Sequence, residues 1–157
     1  MRGWLALASL IVALDQLAKF VVTGVLAYGT GIEVTPFFNL VLVHNKGAAF
    51  SLLSSASGWQ REFFIVIATV ASIWVVHLMR AHPRETLFCC ALSLILGGAV
   101  GNVIDRVWLG AVVDFLDFHA AGYHWPAFNV ADSAITCGAA LLVWESLRPK
   151  ARGRQSA

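Results

Sequence analysis

The sequence predicts an all-α membrane protein. Four transmembrane helices carry a small extracytoplasmic β-sheet and a short surface helix, in a single membrane-embedded domain over residues 1–157. Three observations lead there. The chain is 59% hydrophobic and only 13% charged, where an average soluble domain is about one-quarter charged. Its apolar residues fall in four long runs, each near the ~17–25 residues that cross the hydrocarbon core. Lysine and arginine are shared unequally between the connections, which sets an orientation. The same composition excludes a disordered chain, and a net charge of +2 is too small to imply a nucleic-acid partner.

The first helix covers about residues 3–27 and is broken only by Asp15 and Lys19. It is too long for the apolar core of a secretory signal and has no evident cleavage site, so it is expected to be retained. A β-rich outer loop follows, at about residues 28–62. Its stretch 32–43 is rich in β-branched and aromatic residues and predicts two or more short strands, with Asn45-Lys46-Gly47 as a turn. Residues 54–60 predict the short helix on the membrane surface. The second helix, about 63–79, has no charged residue, and the third, about 87–106, is charged only at its end. A second outer connection carries Asp114, Asp117, His119 and His124. The fourth helix is expected from about 127 to 147, and 148–157 is expected to be a charged, disordered tail. A backbone in lipid must be helical or a closed barrel, and runs this long are not barrel strands. With both termini in the cytoplasm, seven lysines and arginines lie inside and three outside. Five of the six tryptophans sit at segment ends, as an aromatic belt requires, and Trp74 reads as packing. Cys89, Cys90 and Cys137 have no metal-site spacing and read as small core residues.

Polar residues inside such runs are costly and mark functional positions. Asp15 and Lys19 lie at i, i+4 on one helical face, where they can pair. The pair reads either as a structural tie or as part of the chemistry. Asn45-Lys46-Gly47 is either a simple turn or a clamp that presents an amide to an extended peptide. Gly97 and Gly101 make a GxxxG face for close helix approach. Asn102, Asp105 and Arg106 then gather at the outer end of that helix, where Arg106 can bind carbonyls or a carboxylate. Asp114 stands between apolar residues just above the membrane, with Asp117 as a competitor. Asp132 lies one turn into the fourth helix, where a capping role is the alternative. Asn129 is itself a candidate N-cap, which weakens that alternative.

Asp114 and Asp132 are thus expected at the same depth. Two carboxylates forced together share a proton. One can take a proton from water while the other protonates a carbonyl oxygen. That is aspartic-peptidase chemistry, with no metal and no cofactor. The chain has no His-Glu-x-x-His, no Gly-x-Ser-x-Gly and no Ser-x-x-Lys. A metal held by His44, His119 and His124 with Asp117 is the weaker possibility. A small proton-coupled carrier is the alternative from another class, because it too would use intramembrane carboxylates.

In this order the clusters resemble the lipoprotein signal peptidase (signal peptidase II) family. The matching residues are Asp15-Gln16-x-x-Lys19, Asn45-x-Gly47-Ala48-Ala49-Phe50, Gly97-Gly98-Ala99-x-Gly101-Asn102-x-x-Asp105-Arg106, Val113-Asp114-Phe115 and Phe128-Asn129-x-Ala131-Asp132. The resemblance implies an aspartic endopeptidase of the bacterial cytoplasmic (inner) membrane. It would cut prolipoproteins N-terminal to a diacylglyceryl-modified cysteine. It implies Asp114 and Asp132 as the catalytic pair, Asn45, Gly47, Asn102, Arg106 and Asn129 as a substrate-positioning shell, and Asp15, Lys19 and Asp105 as its support. It also implies contact with membrane lipids and inhibition by globomycin-type cyclic peptides.

Overall fold

A computed structural model describes residues 1–47 and 59–148. The surface helix expected at 54–60 therefore lies outside the described residues, apart from Trp59 and Gln60, and so does the tail beyond Arg148. The elements in chain order are α1 (Arg2–Val25), β1 (Gly31–Thr35), β2 (Phe38–Asn45), α2 (Gln60–Ala81), α3 (Thr86–Leu109), β3 (Val112–Ala120), β4 (Tyr123–His124) and α4 (Val130–Leu147). Among the described residues four helices are long and apolar enough to cross a membrane. The chain is a multi-pass membrane protein.

The bundle is built around α3, which packs against each of the other three helices. Half of its apolar stretch is buried, against about a tenth in α2. Small residues permit this. A Cβ on Gly101 would stand 2.7 Å from the Asp15 carboxylate of α1. One on Gly98 would collide with the Ala131 carbonyl of α4. The GxxxG pair thus faces α1, and the glycine between them lets α4 in. Ala8, Val75, Met79, Leu92 and Leu96 close the half of the bundle away from the sheet as an apolar core. Trp74 is 61% exposed, so it lies on the outer surface of α2 rather than in packing between helices. Of the cysteines only Cys89 is buried, and Cys137 is exposed.

The sheet runs β1-β2-β3-β4, all neighbours antiparallel. β1 and β2 turn at Pro36-Phe37, with Thr35 opposite Phe38. β3 is a strand where the sequence suggested only a connection. It starts after Gly110 ends α3 in a left-handed conformation (φ 76°), which glycine adopts without cost. Ala121 and Gly122, with φ of 49° and 81°, form the tight two-residue turn into β4.

Two irregularities position the site. Between Leu40 and Val43 the register with β3 slips, so that β2 carries one extra residue. Without the slip Asn39 and Asn45 would share a face; with it they lie on opposite faces. Next, Phe128 bridges to Leu116, its carbonyl accepting from the Phe115 and Leu116 amides at 3.0 and 2.8 Å. That bridge pins the start of α4 to β3.

Candidate active site

β3 carries Asp114 and Asp117 three residues apart, so they face opposite sides of the sheet. Asp114 points into the molecule and is 2% exposed. Asn129 Nδ2 donates to its Oδ1 at 2.7 Å and Asn45 Nδ2 to its Oδ2 at 3.1 Å. Asp132 stands in the first turn of α4, where Asn102 Nδ2 donates to its Oδ1 at 2.8 Å. Asn129 is the N-cap of α4, its Oδ1 accepting from the Asp132 amide at 2.9 Å. Asn129 therefore touches both carboxylate residues. Burial pushes the Asp114 carboxyl up from the usual 3.8 to about 7, and the negative charge of Asp132 adds to the rise.

Each of the three asparagines has its amide oxygen occupied by an internal donor. Asn45 Oδ1 accepts from the Gly47 amide at 2.9 Å, Asn129 Oδ1 from the Asp132 amide, and Asn102 Oδ1 from Lys19 Nζ at 3.1 Å. Their NH₂ groups are left to face carboxylates.

Behind the pair lies a buried charge cluster. Lys19 Nζ sits 2.7 Å from Asp15 Oδ2 and 2.7 Å from Asp105 Oδ2. Asp105 also accepts from Gln16 Nε2 at 2.9 Å and from the Val113 amide at 3.1 Å. Asp15 accepts from the Ala131 amide at 2.9 Å, so a side chain of α1 helps to cap α4. Asp105 is thus the partner of Lys19 and not of its chain neighbour Arg106, because adjacent helical residues point apart. Arg106 donates through Nη2 to the Gly47 carbonyl at 3.0 Å and lies over the Phe64 ring. It reaches across to the loop after β2. Arg61, which sequence reasoning missed, donates to the Arg106 and Val107 carbonyls at 2.8 Å and ties α2 to the end of α3.

All ten expected site residues gather at one end of the bundle. Beside them opens a groove of about 1070 Å³, bordered by Tyr28, Val43, Asn45, Arg106, Asp114, Trp125, Phe128, Asp132 and Cys137, among others. Its lining is mostly apolar, and it continues down α4 past Asp132 through Thr136 and Cys137.

Asp117 is outside this groove. It is bonded by Asn39 Nδ2 at 2.9 Å and His124 Nδ1 at 3.0 Å. Burial tends to raise its pKa, but those two hydrogen bonds outweigh it and hold the carboxyl below the usual range. His119 and His124 stack at 4.9 Å on that outer face, while His44 packs on Tyr28 at 4.8 Å beside the groove. His44 thus stands apart from Asp117, His119 and His124, and among the described residues no three His, Cys, Asp or Glu side chains are arranged to hold a metal ion. Asp117→Asn should leave turnover within a few-fold of wild type, measured on the same substrate as below. A dead Asp117→Asn variant would move the chemistry to the outer face.

Comparison with known proteins fits this geometry. A family model described as signal peptidase (SPase) II matches residues 7–148. A lipoprotein signal peptidase of Janthinobacterium sp. (strain Marseille) is 55% identical over 94% of this chain and 90% of its own. One from Cupriavidus necator is 59% identical over 92% of this chain and 83% of its own. A bacterial membrane enzyme solved by the in meso method at 2.3 Å superposes with a TM-score of 0.84 at 32% identity, covering 100% of this chain and 94% of the other. From the span of the family match and the identity of these relatives along nearly the whole chain, it follows that the chain belongs to the signal peptidase II family.

Proposed function

We propose that the chain is an aspartic endopeptidase that removes the signal peptide from diacylglyceryl-modified prolipoproteins, cutting N-terminal to the lipidated cysteine. The observation that carries the reading is Asp114: a buried carboxyl with a raised pKa of about 7, beside a second carboxyl at the edge of an apolar groove. A buried pair of this kind holds one proton between two carboxyls near neutral pH. A water between them loses a proton to one carboxylate and attacks the scissile carbonyl. The other carboxyl protonates the carbonyl oxygen, and the tetrahedral intermediate collapses as the leaving nitrogen takes up a proton. Donor amides on Asn45, Asn102 and Asn129 hold the two carboxylates in place, so little reorganisation is needed as charge moves.

The substrate suits the groove. A diacylglyceryl cysteine keeps its acyl chains in lipid, and the apolar wall along α4 offers them a path beside Asp132. The reaction then occurs at the outer face of the bacterial inner membrane, with both termini cytoplasmic, as the lysine and arginine bias favours. Globomycin-type peptides would compete for the same groove. The carrier alternative is disfavoured by the apolar plug of Ala8, Val75, Met79, Leu92 and Leu96, which among the described residues interrupts any series of ionisable groups across the bundle.

The test uses purified protein in detergent with a diacylglyceryl-modified precursor and its unmodified counterpart. Expected is a cut directly before the modified cysteine, with the unmodified precursor spared, unchanged in EDTA and blocked by globomycin. Absence of cleavage, with proton-coupled flux in liposomes, would overturn the reading in favour of a carrier. Loss of activity in EDTA that zinc restores would overturn the metal-free mechanism.

A further inference from the structure

We propose that Lys19 is a positioning residue for the reaction, acting through Asn102: its ammonium holds Asn102 Oδ1 and so keeps the Asn102 Nδ2–H aimed at Asp132. The inference rests on the assignment of Asp114 and Asp132 as the reacting pair.

Lys19 is 3% exposed and directs its three N–H groups at three acceptors: Asp15 Oδ2 and Asp105 Oδ2 at 2.7 Å each, and Asn102 Oδ1 at 3.1 Å. A tie between α1 and α3 requires only the first two. The third goes to an amide whose other end bonds Asp132 at 2.8 Å. An asparagine amide turned by half a revolution has nearly the same shape but opposite polarity. Turned, Asn102 would aim its NH₂ at the ammonium and its carbonyl oxygen at the Asp132 carboxylate. The other two amides are fixed by backbone donors, Gly47 N–H for Asn45 and Asp132 N–H for Asn129. Asn102 lies in mid-helix, and its oxygen is held only by side chains, Lys19 and the more distant Asn129 Nδ2 at 3.3 Å. The nearer, charged donor governs its orientation.

Charged and titratable groups surround this relay on every side: Asp15 and Lys19 from α1, Asp105 and Arg106 from α3, and Asp114 from β3. His44 and Lys46 border the groove beyond. Of these groups Lys19 is the one seen to donate to Asn102 Oδ1, while Arg106 donates to the Asn102 and Gly47 backbone carbonyls.

The experiment is the pH–rate profile of precursor cleavage for wild type, Lys19→Met, Asn102→Ala and the double variant, with thermal stability measured for each. Without the ammonium, Asn102 no longer offers a fixed donor to the ionised pair. Both limbs of the profile should move to higher pH, and a shift of about one unit lowers turnover at pH 6 about tenfold at little changed KM. In the Asn102→Ala background, Lys19→Met should move the limbs clearly less, because only the direct field of the ammonium on the pair is then lost. A purely structural lysine would lower stability and leave the limbs where they are, which would overturn the proposal; so would an equal shift in the Asn102→Ala background. Lys19→Met with Asp105→Asn keeps the net charge of the cluster and decides the matter where the single variant does not fold. Asp132→Asn is run alongside. If it cleaves like wild type, the assignment of the pair fails, whatever Lys19 does.

Discussion

Asp114→Asn abolishes cleavage, lowering turnover by about 10³-fold or more, and at the same time raises thermal stability at pH 8. Both effects come from one buried carboxyl. Asparagine keeps the shape and the acceptor toward Asn129 at 2.7 Å but cannot exchange a proton with water. It loses the bond from Asn45, at a cost of about 1 kcal/mol. The gain is larger. The folded protein holds the Asp114 proton up to about pH 7 against the usual 3.8, so folding becomes less favourable as pH rises through that window. The full difference is on the order of 4 kcal/mol. Wild type should lose stability between pH 4 and pH 8 relative to the variant, and below pH 4 the variant should be the less stable by about the 1 kcal/mol of the lost Asn45 bond. Asp132→Asn is expected to be as inactive as Asp114→Asn. Thermal unfolding across pH, alongside turnover, is the measurement. Turnover above a tenth of wild type, or an unchanged stability difference across pH, would remove Asp114 from the chemistry.

Gly98→Ala destabilises the protein and disables the site, although alanine is the better helix former by about 1 kcal/mol. The added methyl meets the Ala131 carbonyl of α4, a backbone atom that cannot rotate aside. α4 must move away, and with it Asp132, while the Asp15 bond to the Ala131 amide is stretched. Overpacking against backbone costs about 1–3 kcal/mol or more, a fall of roughly 4–8 °C in Tm for a net loss near 2 kcal/mol. Gly24→Ala is the control: nothing lies within 4 Å of its Cβ position, so it should be neutral or slightly stabilising with full activity. Equal behaviour of the two variants would refute the account of the α3–α4 contact.

Much of this was legible in the chain because lipid imposes coarse rules. Apolar runs give α1 to α4, and the polar residues that interrupt them, such as Asp15, Lys19 and Asp132, stand out against the cost of burial. Asn129 was readable as a cap because capping is local. The Asp15–Lys19 pair was readable because its spacing lies within one helix. What escaped was set by distant partners. Asp105 neighbours Arg106 in sequence, yet its cation is Lys19, 86 positions away by number. Asn45 and Arg106, read as groups facing a substrate, both border the groove, but their bonds to Asp114 and to the Gly47 carbonyl join distant segments and had no signal in the sequence. β3 was hidden because its pattern is not a simple alternation. Val112 to Phe115 are all buried, apolar neighbours flanking Asp114, and only the two faces of the sheet explain why Asp114 and Asp117 differ. The register slip in β2 has no signal in composition.

The Asp15 bond to the Ala131 amide joins residues 116 positions apart, the first helix to the last. Its consequence concerns biosynthesis. A nascent chain emerges with α1 first, and Asp15 has no helix to cap until α4 has been made and inserted. Lys19 and Asp105 can meet earlier, when α3 arrives, but Asp132 is among the last site residues to leave the ribosome. A truncated or stalled chain therefore holds one carboxylate of the pair and no closed groove.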